Sequence, residues 1–214
     1  MSQRLVFFGG TFDPVHHGHL IVARSLGEQL RAAAVTFVPA ALPPHKPPAR
    51  TTAEHRLAML HLAVEGEGLL AVSDIELRRR GPSYTFDTMA ELEKLHSGAE
   101  LYWVIGADML ADLPRWHRAK ELVERYTVIA VSRPPLERSL ETVFAQLHAQ
   151  FERPLVEKLR SHVLTTPLIE ISSTQVRHRV GAGQSIRYLL PPAVQQYIAD
   201  HKLYADASGP ESFL

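Results

Sequence analysis

Short apolar runs that recur along the chain, each followed by a helix-like stretch, constrain the fold more than any other feature. Leu5-Val6-Phe7-Phe8 is continuously apolar and stops at Gly9-Gly10, which is the pattern of a strand buried on both faces. Val22, Leu26 and Leu30 follow at i, i+4 and i+8, so the spacing predicts a helix over 19–31 with one core face. The alternation continues with strands at 35–38, 69–72, 101–105 and 127–131, and helices at 53–65, 85–96 and 116–125. Thr51 with Glu54 predicts a capping box for helix 53–65, with Leu57, Leu60 and Val64 inward. The charged segment 136–162 reads as helical, with Leu140, Val143, Phe144 and Leu147 on one side and no chemical motif. A last short strand is expected at 169–171, then helices at 173–181 and 191–201. This order predicts an α/β fold, a parallel sheet with helices on both faces. We expect one domain over 1–204, with 172–204 as a small C-terminal helical part and 205–214 as a flexible tail.

Charge and composition narrow the function classes. Basic and acidic residues balance at 23 each, and there is no cysteine. A neutral total lacks the electrostatic footprint of a general nucleic-acid binder and has no long-range pull toward an anionic membrane. Without cysteine, disulfide scaffolds, thiolate zinc sites and a cysteine nucleophile drop out. The first apolar run is too short for a signal-peptide core, so a soluble cytoplasmic protein is expected.

In parallel sheets ligands bind beyond the C-terminal strand ends, so the residues just after each strand matter most. Gly9-Gly10-Thr11-Phe12-Asp13-Pro14-Val15-His16-His17-Gly18-His19 follows the first strand and enters the first helix. Its glycines allow close backbone approach, and Asp13-Pro14 sets a turn. His16 and His19 flank a helix N-terminus, where free N–H groups and the dipole favour phosphate. Gly18 leaves room for a flat group such as a base or ribose. The same residues would also serve a plain turn with a histidine-capped helix, and closely spaced histidines suit zinc. Neither the dinucleotide fingerprint nor a G-K-[ST] phosphate loop is present. Ile171-Ser172-Ser173-Thr174-Gln175-Val176-Arg177 opens a later helix with hydroxyls and an arginine one turn on, which suits an anion or a plain serine cap. Pro43-Pro44-His45-Lys46 is a stiff loop with a cation. Ser83-Tyr84-Thr85 precedes a helix that Ser83 or Asp87 would cap. Gly106 permits close approach, and Asp108 could accept from ribose hydroxyls. Trp116, beside Pro114 and between Arg115 and His117, is poorly placed for core.

Taken in order, these elements resemble the nucleotidyltransferase superfamily with the [HT]-x-G-H signature. Gly-Gly-Thr-Phe-Asp-Pro at 9–14 is similar to the opening of its bacterial nicotinate-nucleotide adenylyltransferase family. The resemblance implies a Rossmann-like fold and one nucleotidyltransferase domain, in which 136–162 is a variable segment. It implies adenylyl transfer from ATP to nicotinate mononucleotide in NAD biosynthesis. His16 and His19 would be catalytic. Gly9, Gly10, Thr11, Phe12, Gly18, Gly106, Asp108, Arg133, Ile171, Ser172, Ser173 and Arg177 would join them in binding ATP. Lys46, Thr85, Trp116 and His117 would hold phosphate and mononucleotide. Pro135 stands where the family has glycine after Ser132-Arg133-Pro134, which affects the aim of Arg133. The stretch from Ile186 through Tyr197, His201 and Tyr204 is similar to the family's C-terminal part and reads as structural, with Arg187 near the ATP end. Mg²⁺ is the implied cofactor, held mainly by ATP phosphates and water, with no metal ligands from the protein. The implied partners are small molecules only, with no nucleic-acid polymer and no membrane, and the chain is a monomer or homodimer. Other classes considered are a phosphopantetheine-type adenylyltransferase, a metal-dependent phosphohydrolase using His16, His17, His19 and Asp13, and a nucleotide-binding module without turnover.

Overall fold

Strand–helix alternation is realised in the computed structural model, which describes residues 2–42, 48–132 and 137–206. Among the described residues, strands β1 (Arg4–Gly10), β2 (Ala34–Pro39), β3 (Leu70–Val72), β4 (Glu100–Gly106), β5 (Thr127–Ser132) and β6 (Val163–Thr165) form one sheet. Their order is β3-β2-β1-β4-β5-β6, and every neighbouring pair is parallel. The chain runs from β1 outward to β2 and β3, then returns to the other side of β1 for β4. The crevice beyond the C-terminal ends of β1 and β4 is therefore the switch point where such sheets bind ligands.

Alternate residues of each strand enter opposite cores. Leu5, Phe7, Trp103 and Ile105 pack on one face with α4 (Thr85–Leu95), α5 (Ala119–Arg125), α6 (Glu137–Leu147) and α7 (Arg153–Ser161). Val6, Val35, Phe37, Val104 and Ile129 pack on the other with α1 (His17–Leu30), α2 (Ala53–Val64), α8 (Ser173–Gly181) and α9 (Pro192–Asp200). Each fully buried Leu or Phe contributes about 1.5–3 kcal/mol, so both faces need their helices. The charged 136–162 stretch has its place here: Leu140, Phe144 and Leu147 of α6 and Val156 and Leu159 of α7 are buried in the first core. No helix among the described residues is long and apolar enough to cross a membrane.

Several local expectations are corrected. Thr52, not Thr51, is the N-cap of α2, accepting from the His55 backbone N–H. The inner face of α2 is Arg56, Met59 and Leu60, while Leu57 and Val64 are half-buried. The last strand is Val163–Thr165 rather than 169–171; residues 169–171 have no sheet neighbour, because the place beside β5 is taken by β6. A short helix, α3 (Ile75–Arg78), follows β3. The helix expected from Trp116 begins at Ala119, after two 3₁₀ turns at Ala107–Leu110 and Leu113–Arg115. Tyr84 is the N-cap of α4, and neither Ser83 nor Asp87 caps it.

Candidate active site

The sheet's switch point opens into a cleft of about 760 Å³. One wall comes from the β1–α1 turn and α8. Gly9, Gly10, Thr11, Phe12, Asp13, His19, Ser173, Thr174 and Arg177 line it. The two adjacent glycines have a packing reason. A Cβ on Gly9 would lie 2.2 Å from the Trp103 ring, and one on Gly10 would lie 2.7 Å from the Phe12 ring. Phe12 is buried with φ of 50°, a backbone conformation that non-glycine residues keep only where the surroundings dictate it.

His19 stands on the first turn of α1. Its ring packs edge-on against Phe12 at 5.0 Å and stacks on His16 at 3.7 Å. The His16 backbone N–H donates to His19 Nδ1 at 3.3 Å. An Nδ1 that accepts places the proton of a neutral ring on Nε2, which makes Nε2 a donor. His16 is buried and backs His19 instead of lining the cleft. A Cβ on Gly18 would lie 3.0 Å from His16 Nδ1 and 3.4 Å from Ile169, so its missing side chain makes room for the His16 ring.

Hydrogen bonds brace this wall from behind. Ser173 Oγ donates to the Pro14 carbonyl at 2.8 Å, and Arg177 Nη1 to the Asp13 carbonyl at 2.8 Å. Arg56, 2% exposed, donates to the Thr11 carbonyl at 2.8 Å. Burial pushes the Arg56 guanidinium down, and the Asp13 charge partly offsets this. Asp13 itself accepts from the Arg50 backbone N–H, the Thr51 hydroxyl and the Tyr204 hydroxyl. Ile171 and Ser172 are not lining residues; Ser172 caps α8 by accepting from the Gln175 N–H at 3.1 Å.

The opposite wall comes from the β3–α4 and β4–α5 connections: Glu76, Ser83, Tyr84, Thr85, Gly106, Asp108, Trp116 and His117. Tyr84 stacks on His117 at 4.4 Å. Trp116 is half-buried, and its buried Nε1 has no acceptor among the described residues. Gly106 frees space for Asp108, whose carboxylate lies 2.2 Å from where a Cβ would stand. Ser83 Oγ accepts the N–H groups of Ala41 and Leu42 at 3.0 and 3.3 Å, which ties the loop after β2 to this wall. Glu76, 4% exposed, accepts from Thr88 at 2.7 Å. Burial pushes its carboxyl above the ordinary value, against the pull of Thr88, Ser83 and Arg79. Lys46 and Arg133 lie outside the described residues. Arg187 is exposed and outside the lining.

Two residues that shape this site have no place in the sequence reading, Arg56 and Glu76, while Tyr84 and Tyr204 are named there without these contacts. Arg56 alone carries a usable signal, since it falls on the same helical face as Met59 and Leu60, where a cation implies a buried partner.

Comparison with known proteins agrees with this fold. Residues 7–179 match the family model described as cytidylyltransferase-like. A protein of Thermomicrobium roseum described as "Probable nicotinate-nucleotide adenylyltransferase" is 44% identical over 94% of this chain and 92% of its own length. One of Geobacillus kaustophilus with the same description is 42% identical over 96% of this chain and 88% of its own. Among solved structures, Plasmodium falciparum nicotinic acid mononucleotide adenylyltransferase complexed with NaAD shares the fold, with a TM-score of 0.72 at 18% identity over 95% of this chain and 98% of that one. The same enzyme complexed with APC gives a TM-score of 0.71 at 18% identity, with the same coverage.

Proposed function

The chain belongs to the nicotinate-nucleotide adenylyltransferases of the cytidylyltransferase-like family, and on that premise we propose how its cleft carries out their reaction. Adenylyl transfer proceeds from ATP to nicotinate mononucleotide. The mononucleotide's phosphate oxygen bonds to the α-phosphorus of ATP as the bond to the β-phosphate oxygen breaks, giving deamido-NAD and pyrophosphate. No protein nucleophile is needed, so catalysis is positioning and charge stabilisation. The observation that carries the reading is one continuous cleft at the switch point, with His19 on a helix N-terminus in one wall and Tyr84, Thr85, Trp116 and His117 in the other.

We assign the triphosphate to the first wall. His19 Nε2 donates to charge developing at the α-phosphate, while Arg177 and the N-terminus of α8 take the outer phosphates. His16 acts by orienting the His19 ring. Gly9 to Phe12 bring main chain to the nucleotide, and Lys46 and Arg133 belong to the same reading from the sequence. Asp108 suits the ribose hydroxyls. Trp116 offers its ring to the pyridine, and Thr85 and His117 flank its carboxylate. Asp13 is committed to hydrogen bonds, which disfavours the phosphohydrolase alternative that uses it. Mg²⁺ carried by ATP phosphates and water would neutralise triphosphate charge. We read 1–204 as one catalytic domain; Ala205 and Asp206 are exposed, and the rest of the expected tail lies outside the described residues.

The test is purified protein with ATP and Mg²⁺, plus nicotinate or nicotinamide mononucleotide, following pyrophosphate and dinucleotide. Release with the nicotinate form is expected. No release with either would overturn the reading.

A further inference from the structure

We infer that Tyr204, far from Asp13 in sequence, is a positioning residue that holds the phosphate-binding turn through that carboxylate. The inference rests on assigning ATP phosphates to that turn. Asp13 is 3% exposed, and a carboxylate removed from water persists where its oxygens are hydrogen-bonded. Three short, charge-assisted bonds meet it: the Arg50 backbone N–H at 2.6 Å, the Thr51 hydroxyl at 2.6 Å and the Tyr204 hydroxyl at 2.7 Å. The donors come from the segment before α2 and from the turn after α9, so the last bond spans 191 positions of sequence. Asp13's own carbonyl accepts from Arg177 of α8. One residue of the turn thus carries links to three other segments.

The turn needs such fastening. Phe12, beside Asp13, is held at φ of 50°, and its ring is one of those that position His19. Arg56 fixes the Thr11 carbonyl on the other side of Phe12. A sparsely populated conformation lasts where neighbours over-determine it. Tyr204 lies outside the cleft lining whereas Asp13 lies in it, so any effect of the phenol on ligand must pass through Asp13. Burial and the Asp13 carboxylate push the Tyr204 hydroxyl far above its ordinary value of 10.0, which keeps it a donor at any working pH. The side chain is 8% exposed overall, so phenylalanine would retain the packing and remove only the O–H.

The test uses the full-length chain. Tyr204→Phe should weaken binding of a non-hydrolysable ATP analogue, followed by calorimetry, about ten-fold, and lower kcat about ten- to a hundred-fold. KM for the mononucleotide should stay within about two-fold of wild type. Thr51→Val removes the other hydroxyl that donates to the same Asp13 oxygen, and should give the same signature. It serves as the decisive variant if Tyr204→Phe does not fold. In an Asp13→Ala background, which leaves no acceptor for the phenol, Tyr204→Phe should add little, since both act through one link. Unchanged analogue affinity and kcat, or an equal loss toward both substrates, would overturn the inference. A wild-type chain that binds the analogue but releases no pyrophosphate would sink the proposed reaction alone. The analogue affinities would then still decide the role of Tyr204.

Discussion

The wall of the cleft built from the β1–α1 turn and α8 has its turn fastened by hydrogen bonds from several other segments, whereas the wall built from the β3–α4 and β4–α5 connections sets aromatic rings beside the hydrogen bonds of Ser83 and Glu76. In the first, Asp13, Arg56, Ser173 and Arg177 each bond to a carbonyl or a donor of another segment, and the glycines are filled by neighbouring aromatic rings. In the second, Tyr84 stacks on His117 and the Trp116 ring stands at the cleft. Donors aimed at developing charge act best when already oriented, because no reorganisation is then needed during the reaction. A flat apolar ligand asks only for a ring face, which stacked side chains present at small entropic cost. On the proposed assignment of ligands, the contrast divides the work into fixed charge stabilisation on one side and ring recognition on the other.

The largest expected effect breaks the comparison at its charged side. His19→Ala should lower kcat about 100- to 1,000-fold with little change in KM for the mononucleotide. Unchanged steady-state kcat would remove His19 from its role. Next, Trp116→Ala should cost about 1–3 kcal/mol of mononucleotide binding through lost stacking, read by titration calorimetry, while affinity for an ATP analogue holds. Equal losses for both ligands would erase the distinction between the walls. Gly9→Ala should lower stability by about 1–3 kcal/mol, since its Cβ would collide with the Trp103 ring; a thermal melt indistinguishable from wild type would show that the ring can move aside.

The smallest effect concerns Glu76, the buried acid of the ring-lined wall. Its carboxyl is raised above 4.5 in the fold by burial, so the folded state holds the proton to higher pH than the unfolded chain. Its contribution to stability is then fully present below the ordinary glutamate value and is lost as pH climbs through the raised one. Gln has no such loss. The melting temperature of Glu76→Gln relative to wild type should rise with pH, by about 2–4 °C. A difference that is flat across pH, followed by calorimetry, would show that the Glu76 carboxyl titrates as it does in the unfolded chain.

Much of this protein is legible in its residue order. Periodicity marks the strands β1 to β5 and the main helices, because apolar runs and 3.6-residue spacing report burial directly. The turn at 9–19 and the segment at 171–177 stand out by local residue types, but each also suits a plain turn or helix cap, and only their ordered co-occurrence carries the family resemblance. Strand β6 is missed because three residues after a helix have no period, and their strand state comes from pairing with β5. Residues 169–171 alternate as a strand would, yet that edge is already taken.

Local sequence determined strands β1 to β5 and the main helices, and that a histidine and glycine-rich turn would meet a helix N-terminus. Tertiary structure decided what each of those residues does there. Gly18 makes room for the His16 ring, and His16 backs His19. Asp13 accepts from Tyr204, which no local pattern marks as its partner. Such roles depend on atoms that only packing brings within a few ångströms, across separations of up to 191 residues, and no periodicity encodes them.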